Sequence, residues 1–265
     1  MLSIVVCVKA VPDPKEADKL MIDPITRTLP RLDIPLVFNP LDCHAVEAAI
    51  QLKQKYSAHI TALSMGPPPA GNILRECLAL GADQGILLTD PAFAGADTFA
   101  TAYTLAAAIK MVEPVDVVFC GMASSDGSTE WVGPQIAALL GYPVVTRVRE
   151  ILDDQGDNWL LKADFDRGYR KIKIKLPAVI TVTRNLNQPK ALSFSGILKA
   201  RSKQIKEWNH DTLGMPIEHI GLKGSPTYVT EMTRLESSRA VEMIGGTLRE
   251  KVECLVKILS DAGVA

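Results

Sequence analysis

The stretch VVFCGMASSDGSTEWVGP, residues 117–134, decides the fold. It begins as a short apolar run, continues as a loop of glycines and hydroxyl side chains, and ends with the signals of a helix start. The run predicts a strand that is buried on both faces, as in parallel sheets. Short side chains let a ligand approach the backbone, and free N–H groups at a helix N-terminus attract anions. The stretch therefore favours a nucleotide phosphate as ligand, although an ordinary strand-to-helix turn with polar caps has the same pattern.

The alternation of strand and helix signals extends over residues 1–145. Asn39-Pro40-Leu41-Asp42 supplies an N-cap, a proline at the first helical position and an acid at the third, a second helix ends at Gly81, and a third begins at Asp97-Thr98. Repeated βα units predict a doubly wound, mostly parallel sheet with helices on both faces, the α/β class. The other short apolar runs are residues 4–8, 60–64 and 86–89.

The pattern changes after Tyr142-Pro143. Residues 159–163, 169–175 and 178–183 read as strands, and residues 185–245 have weak periodicity, several prolines and glycines, and little core. Such a segment is expected to lie over another surface rather than fold on itself. A last helix opens with Thr247 and Glu250 as a capping box. The sequence predicts a nucleotide-binding domain over residues 1–190 and an extended C-terminal arm with a partner-docking loop over residues 191–265.

Composition excludes several classes of function. The chain has 265 residues, is 47% hydrophobic and carries a net charge of −1, which argues against nucleic acid or an anionic membrane as the main partner. The apolar N-terminus is too short for a membrane span and lacks a basic lead, so a cytoplasmic protein without membrane insertion is expected. Five scattered cysteines without a Cys-x-x-Cys argue against a disulfide frame or a metal site. The histidines show no metal spacing, and no catalytic constellation stands out.

Four polar segments fall where a predicted strand or loop enters a helix. They are Cys7-Val8-Lys9, Asn39-Pro40-Leu41-Asp42, Ser64-Met65-Gly66-Pro67 and the segment from Asp126 to Gly133. In a parallel sheet such ends meet at one edge, where ligands bind. The sequence therefore predicts one nucleotide pocket at the carboxyl edge, in a binding protein or in a nucleotide-dependent adenylating or hydrolysing enzyme. The loop lacks the lysine of a phosphate loop, which disfavours the enzyme.

Together these segments resemble the beta subunit of electron-transfer flavoprotein over essentially the whole chain. Their order and spacing carry the resemblance more than any single piece does. The matching pieces are the strand entering Val8-Lys9, Asn39-Pro40 with Ala45-Val46-Glu47, Ser64 to Pro67, Ala79-Leu80-Gly81-Ala82-Asp83, Gly121 to Gly133, Leu176-Pro177-Ala178-Val179-Ile180-Thr181, Asn185-Leu186-Asn187-Gln188-Pro189-Lys190 and Ile197-Leu198-Lys199-Ala200.

The resemblance implies a heterodimer with an alpha subunit that carries the working FAD and receives the C-terminal arm. It implies a docking loop for a flavin-dependent dehydrogenase between Pro189 and Ile197, with Phe194 as an apolar anchor and Lys199 as electrostatic support. No residue of the chain is expected to be catalytic by itself. The implied cofactor-binding residues are Cys7, Asn39, Asp42, Met65, Gly66, Asp97, Thr98, Gly121, Asp126, Gly127, Ser128, Thr129, Glu130, Val132 and Gly133.

Family members differ in the nucleotide of this pocket. Some hold AMP as a structural ligand, whereas those that bifurcate electrons from NADH hold a second FAD. The segment from Asp126 to Gly133 lacks the consecutive acids and glutamine-threonine of the AMP type, and Phe93-Ala94-Gly95-Ala96-Asp97-Thr98 resembles the bifurcating type. The resemblance therefore favours FAD over AMP, with NADH as electron donor and ferredoxin as a second acceptor. Trp131 departs from the smaller polar residue that is usual there.

Overall fold

The computed structural model describes residues 1–13, 15, 35–112, 114–230 and 241–264. The described chain divides into two compact units, residues 1–230 and 231–265. Residues 231–240, the part of the weakly periodic segment that leads into the second unit, lie outside the described residues.

The first unit is an α/β domain in which strands and helices alternate. Its helices are α1 (Pro40–Lys55), α2 (Gly71–Leu80), α3 (Thr98–Val112), α4 (Val132–Leu140) and α5 (Phe194–Arg201). Its strands are β1 (Leu2–Cys7), β2 (Ala10–Pro12), β3 (Leu36–Phe38), β4 (Ala58–Met65), β5 (Gln84–Leu88), β6 (Val117–Gly121), β7 (Val144–Asp153), β8 (Asn158–Phe165), β9 (Gly168–Lys175), β10 (Ala178–Val182) and β11 (Ile205–Trp208).

Nine of these strands form one sheet in the order β11-β5-β4-β1-β6-β10-β7-β8-β9. The strands from β11 to β7 pair in parallel, whereas β8 and β9 pair antiparallel at one edge. Two core clusters cover the sheet: one includes residues of α1 and α2, and the other residues of α3 and α4. The predicted doubly wound α/β fold with helices on both faces is confirmed.

Continuous burial explains why the central strands read as apolar runs. All five residues of β10 are buried, as are four of the five in β5 and in β6. The helices instead bury one face each. In α2, for example, Ile73, Leu74, Cys77 and Leu78 are buried, whereas the other positions are more exposed to solvent. The second helix ends at Gly81, as predicted, where φ is 131°.

The expectation that residues 185–245 cover another surface was wrong for residues 194–208. There, β11 pairs in parallel with β5 and extends the main sheet. The preceding α5 packs against α2 so closely that a Cβ on Gly196 would lie 2.3 Å from the carbonyl oxygen of Ala79. Periodicity missed both elements because β11 is a four-residue strand and α5 buries only Ala200.

The second unit contains α6 (Leu248–Asp261). The predicted capping box is confirmed: the Thr247 backbone N–H donates to Glu250 Oε2 at 2.7 Å, and the Glu250 N–H donates back to Thr247 Oγ1. Among the helices of the described residues, none combines the length and the apolar character that a membrane span requires.

Candidate functional site

The strand order reverses between β1 and β6. From β1 the chain moves through α1 to β4 and then to β5 on one side, whereas β6 and β10 lie on the other side of β1. At such a switch point the two outgoing connections diverge and leave a crevice outside the carboxyl ends of the strands. Two of the predicted polar segments, Cys7-Val8-Lys9 and the loop that follows Gly121, border this crevice.

Asp42 joins the two sides of the crevice from the first turn of α1. Its Oδ2 accepts the Lys9 backbone N–H at 2.8 Å, and its Oδ1 accepts the Gly121 N–H at 3.1 Å. Burial raises the pKa of Asp42 to about 7, and the hydrogen bonds from Lys9, Asn39 and Gly121 offset only part of that rise. The carboxylate thus fixes the ends of β1 and β6 relative to α1.

Asn39 was predicted to cap α1, but its side chain makes no cap hydrogen bond. Its amide instead reaches the loop after β6: Nδ2 donates to the Ala123 carbonyl at 3.0 Å, and Oδ1 accepts the Ser125 N–H at 3.1 Å. Asn39 is the N-cap residue of α1, as predicted, but both ends of its amide are engaged by the loop after β6 instead of by the first turn of the helix. Asn39 is 1% exposed and therefore supports the loop from its buried side.

Lys9, two residues after the end of β1, holds the centre of the loop. Lys9 Nζ lies 2.7 and 2.8 Å from the two carboxylate oxygens of Asp126 and 3.5 Å from Ser124 Oγ. The Asp126 side chain is only 18% exposed, so the ion pair is partly shielded from water. The sequence placed Asp126 in the site but did not single out Lys9, whose role depends on the adjacency of β1 and β6.

The end of the loop is held from β7. Arg147 donates from Nε and one terminal nitrogen to the two oxygens of Glu130, at 2.8 and 3.1 Å, a bidentate geometry. Ser128, Glu130 and Arg147 all have positive φ, at 48°, 60° and 56°. Sequence reasoning missed Arg147, since nothing in its local pattern relates it to a loop 17 residues earlier.

Three glycines in the loop or at its two ends differ in the space around them. A Cβ on Gly121 would lie 2.3 Å from Asp42 Oδ1, and one on Gly133 would lie 2.4 Å from Thr181 Cγ2. At Gly127 the nearest atom, Ser124 Oγ, would be 3.3 Å away. Gly121 and Gly133 are therefore required for close packing around the crevice, whereas at Gly127 an added methyl group would displace only the Ser124 hydroxyl by a few tenths of an ångström.

The first turn of α4 and two buried side-chain atoms lack particular hydrogen bonds among the described residues. The N-cap residue of α4, Trp131, provides no side-chain hydrogen bond to the first turn, so the amides of Val132 and Gly133 lack that cap. Gln135 Oε1, in the first turn of α4, and Ser64 Oγ, near the end of β4, are buried acceptors without a hydrogen bond in the described part of the chain. N–H groups at a helix start that no side chain caps fit a phosphate-bearing ligand, whereas a carbonyl acceptor such as Gln135 Oε1 requires a hydrogen-bond donor.

Cys7 and Cys120 are register partners at the ends of β1 and β6, and both are nearly buried. A hydrogen bond with Cys7, together with burial, raises the pKa of the Cys120 thiol well above its ordinary value. A buried thiol of raised pKa is a poor nucleophile. The pair thus forms an apolar floor, consistent with the expectation that most cysteines are small core residues.

The remaining predicted cofactor residues lie at the same edge of the sheet but make different contacts. Met65 ends β4, and the Gly66 N–H donates to the Leu88 carbonyl. Asp97, before Thr98 at the start of α3, accepts from Ala100 and, at Oδ2, from the N–H and hydroxyl of Thr227. The contacts of Asp97 thus bring it to residues 225–227 rather than to the loop after β6. Within that loop the Ser128 N–H and hydroxyl donate to the Ser124 carbonyl, while Thr129 is exposed.

The predicted docking residues lie on α5. Phe194 is 78% exposed, so it does not pack against its own domain, and Lys199 is exposed in the last turn. Ser193 caps the helix by accepting the Gly196 N–H at 3.0 Å, and Gly196 fixes the helix against α2. The aromatic ring is thus presented to solvent from a well-anchored turn.

Comparison with known proteins agrees with this geometry. The family described as "Electron transfer flavoprotein domain" matches residues 28–213. An electron transfer flavoprotein subunit beta of Clostridium acetobutylicum is 42% identical over 260 residues, 98% of each chain. The caffeyl-CoA reductase-Etf complex subunit CarD of Acetobacterium woodii is 42% identical over 95% of each chain. The protein FixA of Azotobacter vinelandii is 37% identical over 86% of this chain and 82% of its own. The chain therefore belongs to the electron transfer flavoprotein family, among the relatives of its beta subunits.

Proposed function

We propose that the chain is the beta subunit of a heterodimeric electron transfer flavoprotein that binds FAD in the crevice between β1 and β6. With an alpha subunit that carries a second FAD, it passes electrons from NADH to a flavin-dependent dehydrogenase and to ferredoxin, that is, by electron bifurcation. The observation that carries the proposal is that Lys9 and Asn39 fix the loop after β6 at the point where the strand order reverses. This loop leads directly into α4, whose first turn has no side-chain cap. The family relationship supports the same function.

The residues of the crevice divide into those that face a ligand and those that shape its site. The amides of Val132 and Gly133 suit a phosphate, and Ser128 and Thr129 offer exposed hydroxyls. Asp42 and Asn39 are nearly buried and bonded to the protein, so their contribution is to position the backbone. The remaining proposed cofactor residues are Cys7, Met65, Gly66, Asp97, Thr98, Gly121, Asp126, Gly127 and Glu130.

A bound flavin would supply the redox chemistry, hydride and single-electron transfer. The side chains of this chain bind the nucleotide, fix its orientation and keep water from one face. The floor formed by Cys7 and Cys120 is apolar and nearly buried, which suits the exclusion of water. No proton transfer by a side chain is required of the described residues.

AMP in the same crevice is the second candidate. The hydrogen bonds of Asp97 favour it, because they bring that carboxylate to Ser225 and Thr227 rather than toward a flavin. The exposed backbone at Gly127, which carries no side chain, favours the larger FAD, as does the reductase-Etf complex to which a relative belongs by its name. A subunit that holds AMP would act as an electron-transfer partner without bifurcation.

Residues 191–265 are proposed to serve assembly. Phe194 on α5 is the proposed anchor for a dehydrogenase, with Lys199 in electrostatic support, and the arm that includes α6 is proposed to pack on the alpha subunit. The apolar residues Leu248, Val252 and Leu255 follow helical spacing along α6, which is typical of a helix that binds another chain. We propose that the complex functions in the cytoplasm.

The deciding experiment identifies and counts the nucleotides released when the intact complex is denatured. The chain is produced together with its alpha subunit, and the released nucleotides are separated by chromatography. Two FAD per heterodimer and NADH-dependent flavin reduction support the proposal. One FAD with one AMP supports the second candidate, and ATP turnover by the complex without bound flavin would replace both with a nucleotide-dependent enzyme.

Docking is tested separately with Phe194→Ala. The variant is expected to lower the rate of electron transfer to the dehydrogenase while the bound nucleotides stay unchanged. Phe165→Ala is the matched control, because Phe165 is also exposed, at 51%, but lies at the end of β8. Equal rates for the two variants would remove Phe194 from the docking surface.

A further inference from the structure

The loop between β6 and α4, residues 122–131, has a strained backbone. Ser128 and Glu130 have φ of 48° and 60°, a region that is unfavourable for residues with a side chain. Such conformations persist only where the surrounding structure over-determines them. Two ion pairs that begin outside the loop provide that restraint.

The first ion pair crosses the crevice. Lys9 Nζ binds both carboxylate oxygens of Asp126, at 2.7 and 2.8 Å, in the middle of the loop. Its backbone is fixed as well, because the Lys9 N–H donates to the buried carboxylate of Asp42. The ammonium therefore extends from an anchored backbone position two residues after β1.

The second ion pair fixes the end of the loop. Arg147 binds Glu130 in a bidentate manner, and its own positive φ is supported by a hydrogen bond from its N–H to Thr181 Oγ1 at 3.1 Å. The methyl group of Thr181 is the atom against which Gly133 fits. Arg147 thus connects Glu130, the strand β10 and the first turn of α4.

We propose that Lys9 and Arg147 are positioning residues that hold this loop in the conformation that binds the nucleotide. The inference rests on the proposed nucleotide-binding function. Fixing Glu130 sets the direction in which the chain enters α4, and therefore where the amides of Val132 and Gly133 point. Lys9 also offsets the charge of Asp126, which reduces the repulsion that a phosphate meets at the crevice.

The test uses the full chain in complex with its alpha subunit, with Lys9→Met and Arg147→Met as variants. The matched controls are Arg149→Met, since Arg149 lies in the same strand but pairs with Asp164 of β8, and Lys55→Met, since Lys55 pairs with Asp154. The first readout is amide hydrogen exchange of residues 122–133 in nucleotide-depleted complex. Exchange at least ~3-fold faster than in either control supports the proposal, since a lost restraint opens the loop more often.

The second readout is the dissociation constant for FAD and for AMP. Each variant is expected to bind the nucleotide of the wild type roughly three- to tenfold more weakly, the range for partly exposed ion pairs and charge-assisted hydrogen bonds. Conservative Lys9→Arg and Arg147→Lys are expected to recover part of the loss. Exchange and affinity that match the controls would overturn the proposal.

Asp126→Asn separates a clamp from a direct phosphate contact by Lys9. A clamp predicts that Asp126→Asn speeds the exchange of residues 122–133 as Lys9→Met does, and that the double variant exchanges no faster than either single one. Tighter binding by Asp126→Asn together with exchange as slow as in the controls would show that Asp126 only competes with the phosphate for Lys9, and would overturn the clamp. If the wild-type complex binds neither FAD nor AMP, the proposed function fails. The exchange rates still show whether Lys9 and Arg147 restrain the loop.

Discussion

Replacing Gly121 with alanine tests the close approach of α1 to β6. The added Cβ would lie 2.3 Å from Asp42 Oδ1, 2.9 Å from the Leu41 carbonyl carbon and 3.0 Å from the Asp42 nitrogen. Two of these three atoms belong to the backbone of the first turn of α1, which is fixed by the core beneath it. Relief therefore requires that Asp42 rotate away or that the helix shift.

Both responses are costly. Overpacking of this kind costs about 1–3 kcal/mol. Rotation of Asp42 would also break its hydrogen bonds to Lys9 and Gly121, at about 1.5–3 kcal/mol for a charged acceptor. The expected loss of unfolding free energy is roughly 3–6 kcal/mol, a large part of the ~5–15 kcal/mol of a typical domain. The midpoint of thermal unfolding should fall by roughly 6–20 °C.

The measurement is urea and thermal unfolding of Gly121→Ala beside Gly127→Ala. The control adds the same methyl group six residues later, where the nearest atom is the hydroxyl of Ser124 at 3.3 Å, and should cost less than about 1 kcal/mol. If the two variants unfold at the same midpoint, α1 does not pack on β6 as described, and the position of Asp42 in the crevice would have to be abandoned.

Three further substitutions test charge and packing. Burial raises the pKa of Asp42 to about 7, so the unfolding free energy of the wild type should decline by up to ~4 kcal/mol as the pH rises from about 4 to 7. Asp42→Asn should remove that pH dependence in urea titrations. A pH dependence that persists in the variant refutes the raised pKa of Asp42. Asp90 raises the pKa of His210 through a 2.6 Å contact between the carboxylate and the ring. The stabilisation from the protonated ring is therefore lost as the pH rises through that raised pKa. The unfolding midpoint of His210→Gln should accordingly vary less with pH above 6.5 than that of the wild type. Trp159 is 1% exposed, and Trp159→Ala should cost about 3–5 kcal/mol in unfolding free energy, whereas a cost below about 1 kcal/mol would contradict its burial.

The predictions agreed best with the structure where a local sequence pattern is compatible with only one kind of secondary structure. Continuous apolar runs such as residues 117–120 must be buried on both faces, and they form the centre of the sheet. The capping box at Thr247 and the helix end at Gly81 depend on neighbouring residues only, so both were predicted.

The expectations failed where a short or polar element depends on a distant partner. Four residues of β11 carry too little pattern to show that they pair with β5, more than a hundred residues earlier. Asn39 precedes a proline-led helix and has the usual signature of a cap, yet the amide binds Ala123 and Ser125 instead. Propensity expresses a local preference of about 1 kcal/mol, which tertiary hydrogen bonds readily override.

The candidate site shows the same division. The hydroxyl-rich loop, its glycines and its position between strand and helix are local features, and they indicated a nucleotide site from the sequence. Lys9 and Arg147 were not singled out as partners of Asp126 and Glu130, because those contacts join residues that lie 117 and 17 positions apart. Such contacts exist only once the sheet is assembled.

The sequence by itself determined the fold class, because hydrophobic periodicity and turn chemistry act over a few neighbouring residues, while the order and spacing of its motifs indicated the family and predicted a ligand at one edge of the sheet. Only the tertiary structure decided which side chains hold the loop after β6 and which remain free to meet a ligand. Parallel pairing of β1 with β6 brings Lys9 and Asp42 beside Gly121, and no local pattern encodes that adjacency. The crevice is therefore a consequence of strand order, which is set by burial of the whole sheet.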